Sequence, residues 1–155
     1  EDEAAYKLDA LAVAPDGGSP AMRADFYAEA ANFWLTAGES ERAYASASAG
    51  LKLAYDHLDL RVARARAYAL SGRYDYAETD LTSVLTLDRT RADALRYRAD
   101  ARLQQDNLTG AKTDIEAALT LDDTSVDTAL LRGRINEAIR LKSAPESTPV
   151  ELLRK

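Results

Sequence analysis

Few side chains in this sequence are able to do covalent or metal chemistry. Cysteine is absent and histidine occurs once, at His57. There is thus no thiolate nucleophile, no disulfide and no cysteine-based metal centre. A lone imidazole is a poor metal-ligand set, and the place of His57 between two helical runs suits helix capping or solvent exposure. Acids are plentiful, with 26 Asp and Glu residues. Yet Asp122-Asp123 and Glu1-Asp2-Glu3 lack the alternation and turn glycine of a calcium loop. No glycine-rich phosphate loop is present. No catalytic residue, metal site or cofactor is expected. What remains is recognition chemistry, in which guanidinium meets carboxylate and aromatic rings stack. Arg64 and Asp80, and likewise Arg98 and Asp114, are 16 residues apart. Asp80 and Arg98, and likewise Asp114 and Arg132, are 18 apart. Either spacing permits an ion pair between neighbouring helices. Trp34, the one tryptophan, and the eight tyrosines supply the stacking surfaces.

Positioning those groups falls to helices. Alanine, the best helix former and a small side chain that lets helices approach, supplies 31 of 155 residues. The four prolines (Pro15, Pro20, Pro145 and Pro149) sit near the ends, so nothing between Ala21 and Ala144 breaks a helical series. The net charge of −6 argues against non-specific nucleic-acid binding, which needs a basic field. No apolar run reaches the roughly 20 residues of a membrane-spanning helix.

The helices repeat. Ala43, Ala77 and Ala111 are spaced by 34 residues, as are Ala31, Ala65 and Ala99, and Leu53, Leu87 and Leu121. Gly38 and Gly72 share the step, with Asp106 in the third slot, and Arg64, Arg98 and Arg132 carry it into a fourth unit. Within the second unit Ala65, Tyr68 and Gly72 fall on one helix face, and Ala77, Leu81, Val84 and Leu87 on one face of the next. Gly72 lies between them, where a left-handed residue ends a helix. Ala65 and Ala77 are expected where the paired helices cross. One such pair cannot bury its apolar face alone, whereas stacked neighbours can. The pattern predicts seven helices, at about 22–37, 40–54, 58–71, 74–87, 92–105, 108–121 and 125–141, with a further short helix open over Ala4 to Ala14. The last of the seven carries an apolar stripe of Leu130, Leu131, Ile135, Ala138 and Ile139.

These motifs resemble the tetratricopeptide repeat (TPR), a 34-residue helix–turn–helix. The second unit supplies Arg64-Ala65, Tyr68, Gly72, Tyr74, Ala77, Leu81, Val84 and Leu87. The third supplies Leu95, Arg98-Ala99, Leu108, Ala111, Ile115, Ala118 and Leu121. The first supplies Tyr27, Ala30-Ala31, Trp34, Gly38, Ala43 and Leu53. Tyr55, Arg89 and Asp123 replace the repeat-end proline, and Arg61 stands where a large aromatic is usual. The resemblance implies an all-α fold, a right-handed α-solenoid of about three TPR units (24–57, 58–91 and 92–125) plus a C-terminal capping helix at 125–141. Residues 1–21 form an N-terminal arm with a Gly/Pro loop, and 142–155 a linker-like tail. Trp34, at a family tyrosine position, is expected in the core.

The resemblance also implies a concave groove lined by the first helix of each unit. Its register places Asn32, Leu35 and Thr36 in that groove, followed by Arg66 and Leu70, then Arg96, Asp100, Leu103 and Gln104, with Arg134 on the capping helix. Tyr97 lies off the packing line beside them. Such a mixed basic and apolar groove suits a peptide bearing one or two acids. Asn32 occupies a position that family members use to clamp a peptide carboxylate, but Ala28 stands where their lysine would be. A chaperone-tail receptor is therefore not expected. The function implied is a non-enzymatic scaffold for a protein or peptide partner. An assembly module, for example a homodimer docking through an array end, and a regulatory domain of a larger protein are the alternatives. Residues 1–60 hold 11 acids and 4 bases, so one end of the array is acidic. The start at Glu1 fits a removed secretory leader or a trimmed boundary equally, leaving periplasmic, secreted and cytoplasmic settings open.

Overall fold

The computed structural model describes residues 2–14 and 18–144; the linker-like tail from Pro145 onward lies outside them. The described residues form eight helices and no strand. They are α1 (Asp2–Val13), α2 (Pro20–Thr36), α3 (Ser40–Leu53), α4 (Leu58–Leu70), α5 (Tyr74–Leu87), α6 (Ala92–Gln104), α7 (Leu108–Leu121) and α8 (Val126–Ser143). Each packs chiefly on its chain neighbours, the arrangement of stacked hairpins in a solenoid. Pro20 is not loop. It occupies the first turn of α2, where its missing N–H is no loss, and Ser19 caps that helix by accepting from the Met22 N–H.

The hairpin turns follow from the repeat. Gly38 (φ 80°), Gly72 (φ 74°) and Asp106 (φ 60°) occupy one register position, and all are left-handed. A Cβ at Gly72 would meet nothing within 4 Å, so replacing it strains only the backbone. Gly72→Ala should therefore destabilise the fold by about 1–2 kcal/mol, read as a lower urea midpoint with an unchanged m-value.

The small residues at the helix crossings are fully enclosed: Ala31, Ala43, Ala65, Ala77, Ala99 and Ala111 all have 0% exposure. Gly50 makes a closer approach that the sequence pattern did not single out. A Cβ there would lie 2.7 Å from Leu60 Cδ1 and 2.9 Å from Tyr27 Cβ. Two periodic leucines differ from expectation. Leu87 is 63% and Leu121 47% exposed, because the last turns of α5 and α7 run past the core; Leu85 is buried in the former instead. On α8, Leu131 and Ile135 are buried, whereas Leu130 is 64% exposed and leaves the predicted stripe.

The ambiguous N-terminal stretch is a docked helix. Trp34 is 1% exposed, and its indole N–H donates to Asp9 Oδ2 of α1 at 2.9 Å. Ser46 Oγ donates to the other Asp9 oxygen at 2.7 Å, and Arg23 Nε donates to the Ala12 carbonyl. Two helices of the first unit thus hold α1 in place. Of the two spacings open to the arginine–aspartate pairs, the structure takes 16. Arg64 grips Asp80 through two nitrogens at 2.7 Å. Arg98 grips Asp114 at 2.8 and 2.7 Å. Asp114 also accepts from Arg102 at 2.9 Å, and Arg98 reaches Thr82 of the preceding unit at 3.2 Å.

Candidate functional site

One face of the array presents positions that recur every 34 residues on α2, α4, α6 and α8. Asn32, Arg66, Asp100 and Arg134 form one such series, and side chains link it into rungs. The Arg66 Nη1 donates to Asn32 Oδ1 at 3.1 Å. The Arg134 Nη1 donates to Asp100 Oδ1 at 3.4 Å, both side chains being largely open to solvent. Between these rungs sits Tyr97. The Arg96 guanidinium carbon lies 4.2 Å and that of Arg66 5.0 Å from its ring centroid. Both distances are within cation–π range.

Arg66 and Arg96 differ from four arginines of the central units, although Arg73 shares their pattern, stacked over Tyr68 and Tyr76 with no carboxylate partner among the described residues. Arg64, Arg91, Arg98 and Arg102 each meet a carboxylate. Among the described residues neither Arg66 nor Arg96 does. Arg66 has a neutral amide and an aromatic face, and Arg96 an aromatic face. Next to them opens a pocket of about 260 Å³ lined by Leu35, Ala69, Leu70, Tyr74, Tyr97 and Asp100, among others. Its wall is mostly apolar, and Leu70 is 52% exposed there. The site therefore offers two available cations beside a hydrophobic recess.

Of the expected groove residues, Leu35, Arg66, Leu70, Tyr97 and Asp100 share this pocket. Asn32 and Arg96 join through the Arg66–Tyr97 contacts, and Arg134 through Asp100. Thr36 is turned back, its hydroxyl donating to the Asn32 carbonyl. With Glu29, Asn32 and Phe33 it lines a second, shallow surface that meets this site at Asn32. Leu103 packs into the cluster of Ile115, Leu131 and Ile135, and Gln104 is exposed outside the pocket. Tyr74 and Leu81 of α5 are wall residues that the register missed. They come from a second helix, and the register counted only first helices.

Several other charged groups along the array are paired within it. His57 caps α4 by accepting from the Leu60 N–H at Nδ1, which leaves Nε2 to donate to Asp25 at 3.0 Å. Arg91 bridges Asp59 and Asp93 at 2.9 and 2.7 Å. Burial works to raise the Asp93 and Glu78 carboxyls. The hydrogen bonds and charge of Arg91 on the first, and of Arg102 with Gln105 on the second, outweigh it and hold both below their ordinary values. A carboxyl so lowered takes up protons more readily in the unfolded chain. Its stabilisation is complete above the ordinary carboxylate range, about pH 4, and is lost as pH falls through the lower folded value. The urea midpoint should accordingly hold steady from pH 7 to about 5 and drop below about 4, measured by helical circular dichroism.

No protein-family model matches the sequence, and no curated protein is significantly similar to it. Solved structures are. The first TPR domain of human RPAP3 is 25% identical, with a TM-score of 0.73 over 77% of this chain and 94% of that one. The Sgt2 TPR domain from Aspergillus fumigatus is 20% identical, with a TM-score of 0.77 over 84% and 88%. The second TPR of Spaghetti (RPAP3), in complex with the HSP90 peptide SRMEEVD, is 30% identical, with a TM-score of 0.61 over 64% and 92%. The fold is thus that of an α-solenoid built from paired helices. The chain belongs to the tetratricopeptide-repeat family.

Proposed function

We propose that this chain is a protein-interaction scaffold that binds an extended peptide along its concave groove, without catalysis of its own. The carrying observation is the pair Arg66 and Arg96 around Tyr97, free of carboxylate partners among the described residues and adjoining an apolar pocket. A peptide carboxylate meets the two guanidinium groups, and a neighbouring aliphatic side chain enters the recess walled by Leu35, Ala69 and Leu70. Asn32, Asp100 and Arg134 order the flanking rungs. Solved relatives that hold HSP90 and HSP70 peptides ending in EEVD support peptide capture by this fold. The cations in this groove do not include a lysine at position 28, so an acidic side chain within a peptide is the expected ligand, in preference to a chaperone tail.

A peptide-display selection against the immobilised protein tests the reading. Enriched sequences should pair Asp or Glu with an aliphatic residue one to three positions away. Arg66→Glu with Arg96→Glu should remove the enrichment, with the helical circular dichroism signal unchanged because neither side chain carries a structural ion pair. Undiminished capture by this double variant would refute the groove assignment.

A further inference from the structure

The far end of the array carries a second surface, set by the same 34-residue register. In α4 and α6 one helix face is covered by the next helix of the same unit. That face includes Arg64 with Ala65 in α4, and Arg98 with Ala99 in α6. Each arginine is bonded by a buried aspartate of the covering helix, Asp80 or Asp114, 7% and 3% exposed. Each alanine is fully enclosed. The matching residues of α8 are Arg132 and Gly133, flanked by Ala129 and Asn136. All four are exposed, and a Cβ added at Gly133 would meet nothing within 4 Å. Arg132 has no carboxylate partner among the described residues. Val126, at the start of the same stripe, is 70% exposed. The opposite face of α8, with Thr128, Leu131 and Ile135, is buried. Beyond Asn136 the stripe reaches Ser143 at the rim of a cleft of about 670 Å³ between α8 and α7.

We infer that α8 is a docking site for a helix supplied by another protein, one that takes the place of a covering helix and sets a carboxylate against Arg132. The chain's own covering helices specify the chemistry. Ala77-x-x-Asp80-Leu81 and Ala111-x-x-Asp114-Ile115 put a small residue at the crossing, the acid one turn on, and a branched aliphatic beside it. The partner helix carries the same small-x-x-Asp-aliphatic pattern. Charge favours such an acidic helix over a second α8, because α8 has four bases (Arg132, Arg134, Arg140 and Lys142) against two acids, and two copies of it repel. The inference does not depend on the groove.

The test is an NMR titration of the isotope-labelled full chain with a synthetic peptide of the Leu108–Leu121 sequence. Shift changes should centre on Ala129, Arg132, Gly133 and Asn136 and be absent at Tyr97. Arg132→Glu, a change at an exposed position, should weaken the peptide about tenfold or more. Asp114→Lys made in the peptide alone should abolish binding to the unaltered chain and restore it to the Arg132→Glu chain. Arg66→Glu with Arg96→Glu should change none of this. An unmoved spectrum overturns the inference. So do shifts on the same face that grow with protein concentration alone, which assign it to a second copy, and an affinity indifferent to the charge at position 132.

Discussion

Replacing Asp114 by alanine is expected to remove about 3–5 kcal/mol of stability, enough to unfold much of a domain whose total is typically about 5–15 kcal/mol. Its carboxylate is 3% exposed and accepts from Arg98 and Arg102 together. Deleting it leaves two guanidinium groups, 15% and 19% exposed, with little water to replace their partner. Arg98 would keep its bond to Thr82 and Arg102 its bond to Glu78, so the loss belongs at the lower part of that range if those contacts tighten. Asp114→Asn preserves the shape and one acceptor oxygen and should cost less. Urea unfolding of both variants checks the order. Equal stability of the alanine variant and the parent would mean that the pair is ornamental to the array.

Trp34→Ala is the second large effect, at about 3–5 kcal/mol. The indole is among the largest fully buried side chains. Tyr6 packs edge-on to it at 4.8 Å between centroids, and the Arg42 guanidinium lies 4.8 Å from its ring. Its removal opens a cavity and also deprives Asp9 of a donor, loosening α1 where Ser46 alone then holds that carboxylate. Hydrogen exchange should show α1 amides losing protection first and most, with α6 and α7 little changed. Uniform loss across all eight helices would contradict the local role given to this residue, since repeat arrays transmit stability mainly between neighbours.

Much of the fold is legible in the sequence because one physical constraint recurs at a fixed interval. Where helices cross, only a small side chain fits, and the three alanine positions at step 34 mark those crossings. The turn residues at 38, 72 and 106 mark the hairpins in the same way. What the interval does not encode is direction at the helix ends. Leu87 and Leu121 keep the step yet point to solvent, and spacing alone does not choose between Asp80 meeting Arg64 and Asp80 meeting Arg98. The helix α1 escaped a firm reading because its buried apolar contacts come from the small side chains Ala5 and Ala12, and much of its hold is polar, through Asp9 and Arg23.

The surface shared by the first helices was legible to the level of register. Positions 32, 66, 100 and 134 fall on one surface because first helices repeat. Leu103 shares that register but lies where α8 crosses, so it is drawn into the core. Tyr97 was visible only as a residue off the packing line. Its stacking against arginines from two helices depends on side-chain directions that spacing does not specify, and so does the pocket wall contributed by Tyr74.

The central claim is that the surface around Tyr97 receives a peptide carboxylate. Isothermal titration of a display-selected acidic peptide into the parent protein and into Tyr97→Ala, Arg66→Gln and Arg96→Gln variants tests it most directly. Each variant is expected to weaken binding about tenfold or more, with an affinity for the parent that falls as salt rises. Unchanged affinity in all three, or a peptide whose acid is replaceable by its amide without loss, would contradict it.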